Sequence, residues 1–188
     1  MTRIKTERLL IRNFETKDAE GVFAYLSHPR ANCFLAERVR TLEEAAATVA
    51  RKSQDELQLA VCLQETDSVI GEVFAIKEEP DTYSVGWNFN AQYEGKGYAS
   101  EGARAFLDFL FTSRGARRIY GYVEETNHSS QKLCERLDMC REGFFIEFVT
   151  FTNNPDGTPK YENTFVYAVL KREWEFCKML NSQYFDQP

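Results

Sequence analysis

Apolar positions in the first half of the chain predict one strand, two helices and then three strands. A short apolar run predicts the opening strand, and apolar residues at helical spacing predict the two helices that follow it. Thr16 is a candidate N-cap of the first helix, and Leu42, Ala45, Ala46 and Val49 are predicted to face inward on the second. The predicted elements are a strand over 9–11, helices over 16–27 and 41–53, and strands over 57–63, 69–76 and 83–89.

The second half of the chain alternates predicted strands with predicted helices before it closes with two long strands. Its most amphipathic helix begins at Ala99, and Gly115 is placed where the end of that helix is expected. The segment 152–160 is polar, and it is longer than a tight hairpin requires. The predicted elements are a helix from 99 to the residues before 115, a strand over 119–123, a helix over 127–137, strands over 144–151 and 164–170, and a helix over 173–180.

The order of these elements predicts a mixed sheet in an α/β (α+β) fold. The second to fourth strands follow one another through short polar turns, which indicates an antiparallel meander. The later strands alternate with helices, as crossover connections do. We therefore expect one domain over residues 1–188, with a central mixed, twisted sheet of about seven strands flanked by helices, and not a doubly wound parallel sheet.

Composition and charge exclude several classes of function. The formal net charge of −6 disfavours binding to nucleic acid or to an anionic membrane surface, because both require a basic face. No apolar run approaches the ~18 residues of a membrane-spanning helix. The five cysteines are odd in number and form no CxxC pair, so neither a disulfide framework nor a metal site is predicted. Isolated cysteines in strand-like runs are typical of a reducing compartment, and we expect a cytoplasmic location.

The most informative stretch for chemistry is a glycine-rich turn between the fourth strand and the strongest helix. Gly95 and Gly97 allow backbone angles that let the main chain approach a ligand closely. The N-terminus of the helix that follows offers free N–H groups and a positive dipole end, so the turn is a candidate phosphate site. A turn without any ligand is the alternative. The Walker pattern is absent because Gly97 follows Lys96, and Ser100 interrupts the GxGxxG pattern of dinucleotide-binding proteins.

These residues resemble a known family, the GNAT N-acetyltransferases, whose signature is [Q/R]xxGx[G/A]. The likeness extends to the RimJ/RimL-like (ribosomal-protein-alanine acetyltransferase-like) branch and spans nearly the whole chain in the same order. Asp138 and Met139 depart from the Gly-Phe pair that is usual there. The matching segments are Thr6–Arg12, Gly86-Trp87, Gln92-x-x-Gly95-x-Gly97 with its continuation to Gly102, Asn127–Ser130 with Leu133–Leu137, Glu142-Gly143, Thr164–Tyr167 and Glu173-Trp174.

The resemblance implies acetyl-coenzyme A as the acyl donor, held in a splay between the fourth and fifth strands. In this family the glycine turn holds the pyrophosphate of the coenzyme. The backbone at Phe89 and Asn90 is expected to pair with the pantetheine arm and to offer an N–H to the thioester carbonyl, and Lys96 adds positive charge. The coenzyme-binding residues implied in this way are Phe89, Asn90, Gln92, Gly95, Lys96, Gly97, Tyr98, Ala99, Asn127 and Ser130.

There are two catalytic candidates: Ser130, which the resemblance implies, and Glu72, which lies in the third predicted strand directly after Gly71. Ser130 is the candidate acid for the leaving thiolate, because no tyrosine occurs in the helix 127–137; the alternative is a solvated helix serine. Glu72 is the candidate base, acting directly or through water, and the alternative is a solvent-facing strand residue. Asn127 is a candidate pantetheine contact that also suits a helix N-cap.

The expected function is direct transfer of an acetyl group to a primary amine in a ternary complex. The acceptor is either a protein N-terminus or a small molecule, and its pocket is expected to be shaped by the first two helices and the segment 152–160. Neither His28 nor His128 has a matched Ser or Cys partner, which disfavours a covalent acyl-enzyme. The alternatives are a non-catalytic coenzyme A-binding module and a nucleotide-dependent enzyme, and the chain is expected to be a monomer or a homodimer.

Overall fold

The apolar run at Leu9–Ile11 continues into a sheet that is covered by helices on both faces. In the computed structural model, which describes residues 2–185 and side chains as far as residue 180, Leu9 and Ile11 face one layer of helices while Leu10 faces the other. Strands buried on both faces are apolar at consecutive positions instead of alternating. This explains why the first strand shows an unbroken apolar run.

Strands and helices alternate along the chain largely as the sequence predicts. The strands are β1 Arg3–Lys5, β2 Leu9–Asn13, β3 Gln58–Leu63, β4 Val69–Glu78, β5 Thr82–Phe89, β6 Arg118–Glu124, β7 Cys140–Asn153 and β8 Pro159–Leu170. The α-helices are α1 Ala19–Leu26, α2 Leu42–Lys52, α3 Tyr98–Ser113, α4 His128–Arg136 and α5 Lys171–Phe185, with 3₁₀ turns over Thr16–Asp18, Asn32–Glu37 and Ala91–Tyr93.

All eight strands form one open, mixed sheet in the order β1-β2-β3-β4-β5-β6-β8-β7. The pairs are antiparallel except for β5 and β6, which run parallel. Those two strands are joined by α3, and a helical crossover is what a parallel neighbour requires. The predicted α/β class with a mixed sheet is confirmed.

Two hydrophobic clusters fill the layers on either side of the sheet. One lies between the sheet and α1 and α2, and it includes Val22, Leu26 and Val49. The other lies between the sheet and α3, α4 and α5, where Phe106 and Leu107 are fully buried. Each such side chain stabilises the fold by roughly 1.5–3 kcal/mol relative to leaving it exposed. No helix in the part of the chain that the structure describes is long and apolar enough to cross a membrane.

The structure differs from the sequence expectation at the N-terminal end. β1 is an eighth strand that the pattern did not predict, because three residues are too few to show alternation. Glu15, not Thr16, caps the turn before α1, in a reciprocal capping box with Asp18. Thr41 caps α2 as a serine or threonine should, accepting from the backbone of Glu44.

Two further expectations about exposed regions are wrong. Ala45 and Val49 of α2 are buried, but Leu42 is 48% exposed and Ala46 is also exposed. The segment 152–160 is not a long loop, because β7 continues to residue 153 and β8 begins at 159. Both faces of this end of the β7–β8 hairpin are exposed to solvent. Its sequence therefore lacks the alternation of apolar and polar residues by which a half-buried strand is predicted.

Candidate functional site

A cleft opens where β5 and β6 separate. The two strands pair only between Thr82–Ser84 and Arg118–Tyr120, although β5 continues to residue 89 and β6 to residue 124. The resulting gap is the predicted splay between the fourth and fifth predicted strands. It belongs to a cleft of about 900 Å³. That volume is in the range of small-molecule and cofactor sites.

The glycine-rich turn forms one end of the cleft. Gly95 and Gly97 both have left-handed backbone angles, with φ of 77° and 79°, and Gly97 is the N-cap of α3. The first intrahelical bond runs from Glu101 N to Gly97 O at 3.0 Å, so the N–H groups of Tyr98, Ala99 and Ser100 have no acceptor within the helix. Gly97 and these three residues line the cleft. Free N–H groups at the positive end of a helix dipole fit a phosphate group.

The backbone N–H groups of Phe89 and Asn90, at the end of β5, differ in whether they are free to donate to a ligand. Asn90 N donates to Ile70 O at 2.9 Å, so this N–H is already used within the sheet. Asn90 cannot donate to a thioester carbonyl without breaking that bond, and the expectation for its amide is therefore not supported. Successive N–H groups of a strand point to opposite sides, so the N–H of Phe89 points away from β4 and into the gap.

The N-terminus of α4 forms the opposite wall of the cleft. Asn127 is its N-cap, and its Oδ1 accepts from Ser130 N at 3.1 Å and from Ser129 Oγ at 3.0 Å. Ser130 is half-buried and lines the cleft. Trp87 Nε1 donates to Ser130 Oγ at 3.3 Å. Because an indole N–H is only a donor, the hydroxyl proton of Ser130 stays free to donate into the cleft.

Three other predicted site residues do not line the cleft. Gln92 and Lys96 are exposed, and the Lys96 ammonium lies 5.6 Å from the ring centre of Tyr93. Glu72 is 1% exposed, so the alternative of a solvent-facing strand residue is wrong as well. The Glu72 carboxylate is ion-paired with Lys52, whose ammonium also lies 3.0 Å from Glu37 Oε2.

The surroundings of Glu72 shift its acidity and connect it to the cleft. Burial raises the pKa of Glu72, and the ion pair with Lys52 offsets only part of this effect. Glu72 and Asn88 are directly opposite each other on β4 and β5, so their side chains share one face of the sheet. Glu72 Oε1 and Asn88 Nδ2 are both buried and have no hydrogen-bond partner among the residues that the structure describes, and Asn88 lines the cleft.

Sequence reasoning missed the residues that the 3₁₀ segment and the end of β6 contribute to the cleft. The 3₁₀ segment Asn32–Glu37 contributes Cys33 and Phe34, and β6 contributes Tyr122 and Glu124. Cys33 N donates to Glu124 Oε1 at 2.9 Å, which ties the segment to the end of β6. No local signal marks this wall, because Cys33 and Glu124 are 91 residues apart and meet only once the sheet is built. Trp87 entered the sequence analysis only as part of the Gly86-Trp87 motif, and Asn88 was not singled out.

The cysteines at the cleft are poorly suited to act as nucleophiles. Burial raises the pKa of Cys134 to about 12. Burial and then the neighbouring Glu124 raise the pKa of Cys33 above its usual range. A thiol with such a pKa is almost fully protonated at neutral pH, and only the thiolate is strongly nucleophilic. His28 Nδ1 lies 3.1 Å from Ser27 Oγ, but neither residue lines the cleft.

Comparison with known proteins assigns this arrangement to a family. The profile described as the Acetyltransferase (GNAT) domain matches residues 8–140. The uncharacterized N-acetyltransferase YnaD of Bacillus subtilis (strain 168) is 36% identical over 173 residues, which cover 91% of this chain and 98% of that protein.

Solved structures agree with the sequence comparison. The acetyltransferase (GNAT family) from Bacillus anthracis superposes with a TM-score of 0.81 at 32% identity, covering 91% of this chain and 99% of that chain. The ribosomal-protein-S5-alanine acetyltransferase from Vibrio fischeri shares the fold, with a TM-score of 0.70 at 18% identity over 93% of this chain and 99% of that chain. The chain therefore belongs to the GNAT acetyltransferase family, and it is an N-acetyltransferase.

Proposed function

We propose that the protein transfers an acetyl group from acetyl-coenzyme A directly to a primary amine bound in the same cleft. The observation that carries this proposal is the gap between β5 and β6, which ends at the left-handed glycine turn and the free N–H groups of α3. An extended pantetheine arm fits a gap between two strands, and a pyrophosphate fits the turn at its end. The coenzyme is therefore proposed to lie along the gap with its thioester near the ends of β5 and α4.

Donor binding is proposed to rest on the backbone more than on charged side chains. The amides of Gly97, Tyr98 and Ala99 are proposed to hold the pyrophosphate, with Gly95 allowing the approach. The N–H of Phe89 is proposed to stabilise the negative charge that develops on the thioester oxygen, as an oxyanion-hole donor does. Asn127, Gln92 and Lys96 remain secondary candidates: the first is already used as a cap, and the other two lie outside the lining.

Ser130 is proposed as the acid that protonates the leaving thiolate. As the amine nitrogen bonds to the carbonyl carbon, the C–S bond breaks and the sulfur takes the proton of the Ser130 hydroxyl. The acetylated nitrogen then loses its second proton to solvent and the serine oxygen regains one, which leaves a neutral amide, free coenzyme A thiol and the serine hydroxyl. The hydrogen bond from Trp87 occupies a lone pair of Ser130 Oγ and thereby directs the hydroxyl proton toward the cleft.

Glu72 is proposed as the base, acting through water and not by direct contact. A primary amine with a pKa near ~10.4 is mostly protonated at neutral pH and must lose a proton before it attacks. Asn88 connects the cleft to the face of the sheet that carries Glu72, and a water held between Asn88 Nδ2 and Glu72 Oε1 provides the path for that proton. The raised pKa of Glu72 brings it closer to the operating pH, where a general base works best.

The raised pKa of the cysteine thiols at the cleft favours direct transfer over a covalent acyl-enzyme. Cys33 and Cys134 line the cleft; burial raises the pKa of Cys134, and partial desolvation of the thiol together with Glu124 raises the pKa of the exposed Cys33, which favours the protonated form of both. Intact-mass spectrometry after mixing the enzyme with acetyl-coenzyme A, without an acceptor, tests this point. An acetyl group that forms on either cysteine at the rate of turnover, and that is consumed once an acceptor amine is added, contradicts direct transfer.

The acceptor is proposed to enter beside Phe34, Tyr122 and Glu124. The buried carboxylate of Glu124 favours a cationic amine through charge complementarity. We place the chain in the RimJ/RimL-like branch on its sequence motifs, and the fold shared with the alanine acetyltransferase from Vibrio fischeri is consistent with that placement. Both a protein N-terminus and a small amine remain within the proposed acceptor class.

A thiol-release assay with acetyl-coenzyme A and a panel of amines tests the proposed function. The panel contains peptides with free N-termini, polyamines, aminoglycosides and amino-acid amides. Amine-dependent release of coenzyme A, abolished by Gly97→Glu, is the expected result. Calorimetric binding of coenzyme A without turnover on any amine instead indicates a binding module, and binding of ATP or NAD without coenzyme A indicates a different nucleotide enzyme.

A further inference from the structure

Arg8 contacts the glycine turn but is not among the residues that line the cleft. The residue belongs to the connection between β1 and β2, and its guanidinium spans the start of α3. Arg8 Nη1 donates to Lys96 O at 2.9 Å, and Arg8 Nε donates to Glu101 Oε2 at 2.7 Å. The guanidinium carbon also lies 4.7 Å from the ring centre of Tyr98. One side chain therefore contacts the residue before Gly97, the residue after it, and the first turn of the helix.

The bond to Lys96 O fixes the direction of a neighbouring N–H. The Lys96 carbonyl and the Gly97 N–H belong to one planar trans peptide, in which the C=O and N–H bonds point in opposite directions. Holding the carbonyl toward Arg8 turns the Gly97 N–H away from Arg8. Gly97 lines the cleft whereas Lys96 does not, so this direction is the one that faces a bound phosphate.

Glu101 completes the support from the helix side. Its carboxylate accepts from Thr6 Oγ1 at 2.5 Å, from Arg8 N at 2.9 Å and from the Arg8 guanidinium. Burial raises the pKa of Glu101, but these hydrogen bonds outweigh burial and leave it lowered, so the group is ionised at neutral pH. Without Arg8, that negative charge would stand uncompensated in the first turn of α3, next to the phosphate site.

We propose that Arg8, together with Thr6 and Glu101, is a positioning group for the coenzyme phosphates. It does not touch the coenzyme; it holds the glycine turn in the orientation that points its amides into the cleft, and it neutralises Glu101. This inference rests on the proposed use of acetyl-coenzyme A. It also assigns a role to the opening Thr-Glu-Arg segment, which the catalytic proposal leaves unused.

The test separates the phosphate end of the donor from its thioester end. S-acetylpantetheine carries the thioester and the pantetheine arm but no pyrophosphate. Arg8→Met is expected to weaken calorimetric binding of coenzyme A about tenfold, the equivalent of roughly one charge-assisted hydrogen bond. The same variant is expected to leave kcat/KM for S-acetylpantetheine unchanged. Arg8→Lys is expected to fall between wild type and Arg8→Met, because lysine keeps the charge without the forked donors.

The matched control is the ion pair at the other end of the same helix. Arg114 donates to Glu56 at 3.1 and 2.8 Å and ties the C-terminal end of α3 to the segment before β3. Arg114→Met is expected to leave both donors unaffected. Unchanged coenzyme A binding in Arg8→Met overturns the inference, and so does an equal loss with both donors. Wild-type protein that binds no coenzyme A contradicts the proposed function itself.

Discussion

Gly97 and Gly115 offer a matched test of the coenzyme turn. Both glycines have left-handed backbone angles, with φ of 79° and 70°, but only Gly97 lines the cleft. A Cβ at Gly97 would meet Arg8 Nη2 at 3.4 Å, an ordinary contact, and a Cβ at Gly115 would meet nothing within 4 Å. Replacing each by alanine therefore introduces similar backbone strain and almost no collision.

Backbone strain is expected to destabilise both alanine variants, whereas only the variant at Gly97, which lines the cleft, is expected to bind coenzyme A more weakly. A non-glycine residue in the left-handed region costs about 1–2 kcal/mol, so each variant is expected to lose that much stability. For a chain of this size the melting temperature is expected to fall by roughly 2–4 °C per kcal/mol. In Gly97→Ala the turn relaxes by rotating its amides away from the cleft. Loss of one charge-assisted hydrogen bond then weakens coenzyme A binding about tenfold or more.

Calorimetry with coenzyme A and thermal unfolding of both variants supply the measurements. The expected result is a similar fall in melting temperature for the two variants, with weaker coenzyme A binding only in Gly97→Ala. Equal affinity for coenzyme A in Gly97→Ala, Gly115→Ala and wild type would refute the assignment of the turn as the phosphate site. A melting temperature unchanged in both variants would refute the strain argument.

Three further substitutions test the catalytic and structural roles of single residues. Ser130→Ala is expected to lower kcat about 100-fold with little change in KM for acetyl-coenzyme A; a kcat within twofold of wild type in the thiol-release assay contradicts the acid role. A base works deprotonated, so wild-type kcat/KM is expected to fall as pH drops through the raised pKa of Glu72, and Glu72→Gln is expected to remove that acidic limb; a limb that persists points to another base. Lys52→Met leaves the buried Glu72 carboxylate unpaired and is expected to lower the free energy of unfolding by about 3 kcal/mol at pH 8. A carboxyl whose folded pKa is raised loses stability as pH rises, so urea titrations should show a smaller deficit at pH 5, and equal deficits would contradict this account.

Sequence predicted the features of the site that depend on neighbours along the chain. The glycine turn before α3 and Asn127 as the cap of α4 are local signals, because a left-handed angle or a short polar side chain is required at one position. The order of strands and helices likewise follows from local periodicity. These local features are enough to predict where the cleft lies along the chain.

The remaining features depend on residues that meet only in the folded sheet. Trp87 and Ser130 are 43 residues apart, and Arg8 and Glu101 are 93 residues apart. Glu72 was expected either at the cleft or in solvent, and it lies in neither place because Lys52 from α2 is buried beside it. Strand periodicity indicates which side chains share a face, but it does not indicate which helix covers that face.

The ammonium of Lys52 lies between two carboxylates that are connected to different proposed roles. It pairs with Glu72, the proposed base, and with Glu37, the last residue of the 3₁₀ segment that carries Phe34. An acceptor that displaced this segment would move Glu37, one of the two carboxylates that share the ammonium, and would thereby change the proton affinity of Glu72. Thermodynamic reciprocity would then require acceptor affinity to vary with the protonation of Glu72. With the proposed roles, substrate recognition and amine deprotonation would be coupled equilibria.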